Sequence, residues 1–172
     1  ESIVVVAINN QYTGYVLIAD EVKEDAQEAI KQMHLHGITQ IVMLSGDKNA
    51  ITQKVAKHIG IDTAFGDLLP EDKVNKVKEI IAKNETVAFV GDGVNDAPVV
   101  ALSNVGIAMG GLGSDATIET ADVVIQDDKP SKISMAINIG KQTKKIVWQN
   151  IVMAFVVKGI VLILGAGGLA TM

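Results

Sequence analysis

The sequence predicts an α/β fold: a mostly parallel sheet with helices on both faces, followed by a C-terminal transmembrane helix. Three observations predict it. Short β-branched runs alternate with amphipathic stretches of helical spacing along most of the chain. Polar, glycine-bearing clusters directly follow two of those runs, at the strand ends where open parallel sheets bind ligands. From Ile151 to Met172 the chain changes character, to 22 residues whose single charge is Lys158. A bilayer's hydrocarbon core requires about 20 such residues.

The elements follow in order. "SIVVVAI" (2–8) and "YVLIA" (15–19) flank Asn9-Asn10-Gln11 and read as a hairpin. Asp25 to His36 carries Ala26, Ala29, Ile30 and Met33 at helical spacing, and Gly37 stops it. Gln40 to Leu44 is a short buried strand, and Asn49 to Ile59 a second helix closed by Gly60. Pro70 opens a third helix over 70–83, with acids in its first turn. "TVAFV" (86–90), "VGIAM" (105–109) and "DVVI" (122–125) are strands whose apolar character suits burial on both faces. Pro130 opens a helix that continues through Trp148 into the apolar tail. No internal repeat and no low-complexity linker interrupts the order.

Composition narrows the functions. A length of 172 residues suits one domain with an appendage, and 48% hydrophobic residues suffice for a sizeable core. Aromatics at 3% leave no stacking platform for bases or sugars. A net charge of −5 without a basic stripe argues against nucleic acid as a partner. The absence of cysteine excludes disulfides and thiolate metal sites and fits a reducing compartment. The chain begins at Glu1 with neither initiator Met nor signal peptide, as expected of a piece of something longer. Lys141, Lys144 and Lys145, with Trp148, precede the tail and mark its cytoplasmic side. A buried core helix is the other reading of the tail, but the run has no polar stripe. His34 and His36 stand two apart and face apart on a helix, so these and His58 read as exposed residues rather than zinc ligands.

Two polar clusters carry the chemistry. "SGDK" (45–48) follows "QIVML", and "GDGVNDAP" (91–98) follows "TVAFV". Gly46, Gly91 and Gly93 let the backbone approach an oxyanion with N–H groups facing it. Asp92 and Asp96 are four residues apart and can face one pocket as a helix begins. Their hard oxygens suit magnesium, which binds through one or two carboxylates plus phosphate. Lys73, near its helix start, can neutralise a phosphate as a point charge, and Ser45 can donate to it. Each piece alone has a plainer reading: Asp-Gly as a turn, Ser-Gly-Asp as a helix cap, Lys73 as a solvated charge. Their occurrence together, each at a strand end or helix start, favours a metal-phosphate site.

"SGD", then "LLPEDK" (68–73), then "GDGVNDAP" resembles the C-terminal half of the catalytic region of P-type ATPases, members of the haloacid-dehalogenase-like superfamily. The resemblance covers essentially the whole chain. "VGIAMGGLGSDATIETADVVI" followed by "QNIVMAFVVKGI" is similar to the heavy-metal branch. Lys158, inside the first helix after the catalytic domain, is similar to the zinc/cadmium/lead exporters, whereas copper pumps carry an Asn and Tyr pattern there.

The resemblance implies a Rossmann-like catalytic fold and a pump exporting divalent heavy-metal ions with ATP and Mg2+. Residues 1–19 would end the nucleotide-binding domain and form the hinge. Residues 20–145 would be the second segment of the phosphorylation domain, and 146–172 a transmembrane helix. Asp92 would be a magnesium ligand; Asp96 would organise that site and orient Lys73; Asn95 would hydrogen-bond the phosphoryl group. Ser45 and Gly46 would hold phosphate oxygens. Asp47 would sit near the nucleotide, Asp20 would lie at the crossover from the nucleotide-binding domain, and Lys158 would serve transport. The family usually has Thr at Ser45, which keeps the hydroxyl. Many members have Asn at Lys48, which leaves the nucleotide-side contacts open.

The phosphorylated Asp-Lys-Thr-Gly and the Cys-Pro-Cys of the transport helix do not occur in these 172 residues. The expected partners are therefore the rest of a multi-pass parent in the cell membrane: the strand carrying that Asp, the nucleotide-binding and actuator domains, and the other membrane helices, together with the bilayer and the exported ion. This chain, with its domain in the cytoplasm, is expected to be inactive alone. A soluble phosphatase of the same superfamily, distinguished by solubility without detergent, is one alternative. A non-catalytic receiver-like domain, unresponsive to magnesium with a phosphate mimic, is the other.

Overall fold

Asn9 and Asn10 both adopt positive φ, 52° and 60°. Two consecutive left-handed residues make the tight turn whose twist matches a hairpin, and Asn tolerates that conformation better than most residues. The turn joins β1 (Ser2–Ile8) to β2 (Gln11–Ile18) in antiparallel register, Ile8 opposite Gln11. The register shifts between Val6 and Ala7, where Thr13 is the extra residue of a bulge. The second strand therefore starts earlier than the β-branched run suggests. Ile3, Val4, Val5, Tyr12, Tyr15 and Val16 are all exposed, so this hairpin buries neither face against the rest of the chain. The computed structural model describes residues 2–18, 21–83, 85–91, 94–110 and 115–167.

The remaining strands are parallel. β3 (Val42–Leu44) pairs with β4 (Thr63–Phe65), a strand whose Thr-Ala-Phe carries no β-branched apolar run to reveal it. β5 (Ala88–Gly91), β6 (Val105–Met109) and β7 (Val123–Ile125) form a second ribbon in that order. Helices α1 (Ala26–Leu35), α2 (Asn49–Ile59), α3 (Pro70–Ile81), α4 (Ala97–Leu102) and α5 (Asp115–Thr120) connect them. α4 follows "GDGVND", where a helix start is expected, and α5 follows the segment after β6 and is not legible in the apolar spacing.

Helices cover the three-stranded ribbon on both faces, as its alternation requires. Ile107 and Met109 of β6 point one way, into a cluster with Ile125, Ile133 and the partly buried Met33 and Ile137. That face receives α1 and the long helix α6 (Ser131–Ala166). Gly106 points the other way, toward α4. A Cβ on Gly106 would lie 2.6 Å from Val100 Cγ1, so α4 rests directly on the strand backbone there. Val99 and Val100 are fully buried as a result.

α6 runs unbroken for 36 residues. Its base belongs to the core through Ile133 and Ser134; from Gly140 on, nearly every residue is exposed. It is the one helix among the described residues long and apolar enough to span a membrane, and none of its apolar window is buried. A core helix of a soluble domain would be buried. Lys141 does more than flank the tail: its Nζ donates to the carbonyl of His36, tying α6 to the end of α1. His34 and His36 are half-buried rather than exposed, while His58 is exposed. His34 Nδ1 lies 2.9 Å from the Ile38 carbonyl.

Candidate phosphoryl-binding site

The C-terminal ends of β3, β5 and β6 converge on one cavity of about 310 Å3. Leu44, Ser45 and Gly46 form one wall, Val90 and Gly91 another, and Met109 a third. Among the described residues β3 pairs only with β4, and β5 only with β6. Each keeps an unpaired edge although both end at the same cavity. The expected single sheet is thus two parallel ribbons, because no strand of the described residues lies between them.

Lys73 reaches the cavity from α3. Pro70 begins that helix, and the Leu69 N–H donates to Asp72 Oδ2 at 3.0 Å, closing its first turn. One residue on, Lys73 Nζ donates to Asp96 Oδ1 at 2.8 Å. Asp96 ends a 3₁₀ turn (Val94–Asp96) and begins α4. The two side chains are only 18% and 13% exposed. Gly91 makes this placement possible: a Cβ there would lie 2.7 Å from Asp96 Cβ, closer than real contacts allow.

Ser45 and Gly46 are held by backbone bonds on both sides. The Ser45 N–H donates to the Phe65 carbonyl at 2.9 Å, and the Ser45 carbonyl accepts from Leu68 N–H at 3.1 Å. The Ser45 hydroxyl donates to Asp47 Oδ2 at 3.0 Å and accepts from the Asp47 N–H at 3.1 Å. Asp47 itself is exposed and outside the cavity wall; it orients Ser45. Asp67, at φ 56°, joins this loop to the one leading into α3. Its N–H donates to the Asp47 carbonyl at 2.7 Å, and its Oδ2 accepts from Asn49 N–H at 3.0 Å at the start of α2.

The structure therefore brings Ser45, Gly46, Lys73, Gly91 and Asp96 to one cavity. Asn95 is exposed in the 3₁₀ turn and does not line it. Asp20, Asp92 and Gly93 lie outside the described residues. Lys158 is exposed far along α6. Sequence reasoning missed three contributors. Asp67 is signalled only by the Gly-Asp pair before "LLPEDK"; Lys23 and Asp128 form an ion pair at the cavity rim. They belong to strand-to-helix loops that carry no motif of their own.

The donor chemistry fits magnesium with phosphate. Asp96 offers a partly buried carboxylate beside a lysine in a small polar cavity. No cluster of three or more His, Cys, Asp or Glu that could hold a metal occurs among the described residues. Magnesium does not need one, since it completes its shell with phosphate oxygens and water.

The sequence model described as "haloacid dehalogenase-like hydrolase" matches residues 1–103. A zinc-transporting ATPase of Synechocystis sp. is 50% identical over 99% of this chain and 24% of its own length. A cadmium, zinc and cobalt-transporting ATPase of Bacillus subtilis is 51% identical over 99% of this chain and 25% of its own. The crystal structure of a zinc-transporting PIB-type ATPase in the E2.Pi state superposes with a TM-score of 0.82 and 32% identity, covering 98% of this chain and 27% of that one. The chain thus spans about a quarter of the length of the relatives it matches.

Proposed function

We propose, from the premise that this chain belongs to the haloacid dehalogenase-like hydrolase family, that it is the phosphoryl-handling part of an ATP-driven pump exporting zinc or cadmium. The observation that carries this reading is the Lys73–Asp96 pair, set into a cavity walled by Ser45 and Gly46. The unburied apolar helix α6 and the names of the relatives support the membrane and metal parts of it.

On this reading residues 1–19 close the nucleotide-binding domain and hinge, 20–145 form the phosphorylation segment, and 146–172 cross the membrane. The aspartate that takes the phosphoryl group from ATP lies outside these residues, on a strand seated between the open edges of β3 and β5. Lys73 neutralises the phosphoryl group as a point charge, and the backbone of Gly46 lets its oxygens approach closely. The Ser45 hydroxyl turns from Asp47 to a phosphoryl oxygen, while Asn95 approaches the group from the 3₁₀ turn. Asp96 and Asp92 would hold Mg2+, which supplies charge neutralisation to the transferring group. Asp47 and Asp20 would serve the nucleotide side, at the hinge.

The test uses membranes containing the full-length protein. Zinc or cadmium should stimulate ATP hydrolysis, and Asp92→Ala should abolish phosphoenzyme formation from ATP. The 172-residue chain alone should turn over no ATP, because phosphoryl transfer lacks its carboxylate nucleophile. Normal pumping by the Asp92→Ala protein, or turnover by the isolated chain, would refute the assignment.

A further inference from the structure

Two ion pairs flank the cavity, and they are built differently. Lys73–Asp96 is largely buried, with side chains 18% and 13% exposed. Lys23 and Asp128 pair at the rim, 42% and 61% exposed, and both line the same cavity. Lys23 comes from the loop before α1 and Asp128 from the loop after β7.

The two loops are tied together independently of that pair. Asp25 Oδ2 accepts the backbone N–H of Ser131 at 2.9 Å, at the start of α6. Ala26, next in the chain, is buried at the start of α1, and α1 packs against α6. Opening the Lys23–Asp128 contact therefore leaves the Lys23 backbone where it is. An ion pair this exposed contributes little and exchanges partners readily. A phosphoryl group brings close to two negative charges into the cavity. A single buried lysine, already shared with Asp96, does not balance them. Lys23 is the other cation among the described lining residues.

We infer that Lys23 is a second phosphoryl-binding cation, held at the rim by Asp128 until the anion enters. The inference rests on the phosphoryl-site reading above. Entry of the anion breaks the Lys23–Asp128 contact and forms a charge-assisted hydrogen bond from Nζ to a phosphoryl oxygen. Asp128 is left at a solvent-exposed position, where an unpaired carboxylate is well hydrated.

The sign of two substitutions tests it. The probe is inorganic phosphate with Mg2+, titrated against phosphoenzyme formation in the full-length protein. Lys23→Ala should weaken half-saturation by about tenfold, the effect of losing one charge-assisted hydrogen bond. Lys23→Arg should restore most of it. Asp128→Asn frees Lys23 and should tighten half-saturation by about threefold, the scale of an exposed ion pair. The double variant should behave as Lys23→Ala. If both single substitutions shift phosphate affinity in the same direction, or neither shifts it, Lys23 is only a structural partner of Asp128 and the inference fails. Lys73→Ala separates the two readings. Loss of phosphate saturation in that variant upholds the site even where Lys23 has no effect, whereas unchanged saturation overturns the site itself.

Discussion

Lys73 Nζ sits 2.8 Å from Asp96 Oδ1, joining the first turn of α3 to the start of α4 in a setting that is mostly out of water. Such a pair costs desolvation and repays it through geometry. Its two members answer differently to substitution. Lys73→Met leaves Asp96 as an uncompensated, largely buried charge and should destabilise the domain by about 2 kcal/mol. Asp96→Asn keeps an acceptor for Lys73 and should cost about 1 kcal/mol or less, yet raise the magnesium needed for phosphoenzyme formation by about tenfold or more. Thermal unfolding and a magnesium titration of the full-length protein check the two halves.

Gly91 and Gly46 should separate fold from function. A methyl at Gly91 collides with Asp96 Cβ at 2.7 Å, so Gly91→Ala should lose about 1–3 kcal/mol of stability by overpacking. A methyl at Gly46 meets nothing nearer than the Leu68 carbonyl oxygen at 3.4 Å, an ordinary contact. Gly46→Ala should unfold at nearly the native temperature while its cavity loses room for phosphate. Melting curves alongside phosphate saturation would show the split; equal melting temperatures for both variants would contradict it.

Asp25 carries a pH dependence. Side-chain and backbone hydrogen bonds from Ser131 hold its carboxyl below the ordinary 3.8. A depressed folded value means the Asp25–Ser131 contact stabilises the protein fully above 3.8, and that contribution disappears as pH falls through the folded value. Asp25→Ala should therefore be less stable than the native protein near neutrality by about 0.5 kcal/mol, solvent screening keeping the contribution of so open a carboxylate small. The difference should vanish in acid. A gap between the two proteins that persists at pH values well below the carboxylate range would remove Asp25 from this role.

Lys158 has two readings with opposite outcomes. It lies seven residues past Ile151, roughly 10 Å along the helix. As a snorkelling residue it would reach the headgroups and tolerate Lys158→Ala. On the proposed reading of the protein as a metal pump, we expect instead that Lys158 faces a helix bundle of the full-length protein and balances charge at its metal site. Lys158→Ala should then insert normally but lose metal-stimulated turnover and metal resistance. Unchanged turnover would return it to a flanking role.

Much of the site was readable because its residues come in dense local runs. "SGDK", "PEDK" and "GDGVNDAP" each place polar groups at a strand end or helix start, and the fold brings Ser45, Gly46, Lys73 and Asp96 to one cavity. β4 escaped notice because Thr63-Ala64-Phe65, set between Asp62 and Gly66, forms no β-branched apolar run of the kind that marks the equally short β3 and β7. The helix start at Asp96 was expected, and α4 begins there; α5 escaped because six residues give less than two helical turns. Asp67, Lys23 and Asp128 were illegible for another reason. Their roles depend on contacts between loops distant in sequence, and no spacing within either loop records the other. The separation of the sheet into two ribbons likewise depends on strand pairing, which periodicity does not encode.

α6 has its root in the wall of the core and its other end in the apolar run, with no break between. At 1.5 Å per residue its 36 residues make a rod about 54 Å long. A rod of that length acts as a lever arm. Rotating its base by about 10° swings the far end by about 9 Å, close to the spacing between two packed helices. A small tilt at the root of α6 is thus amplified into a displacement on the scale of a whole helix at the opposite end.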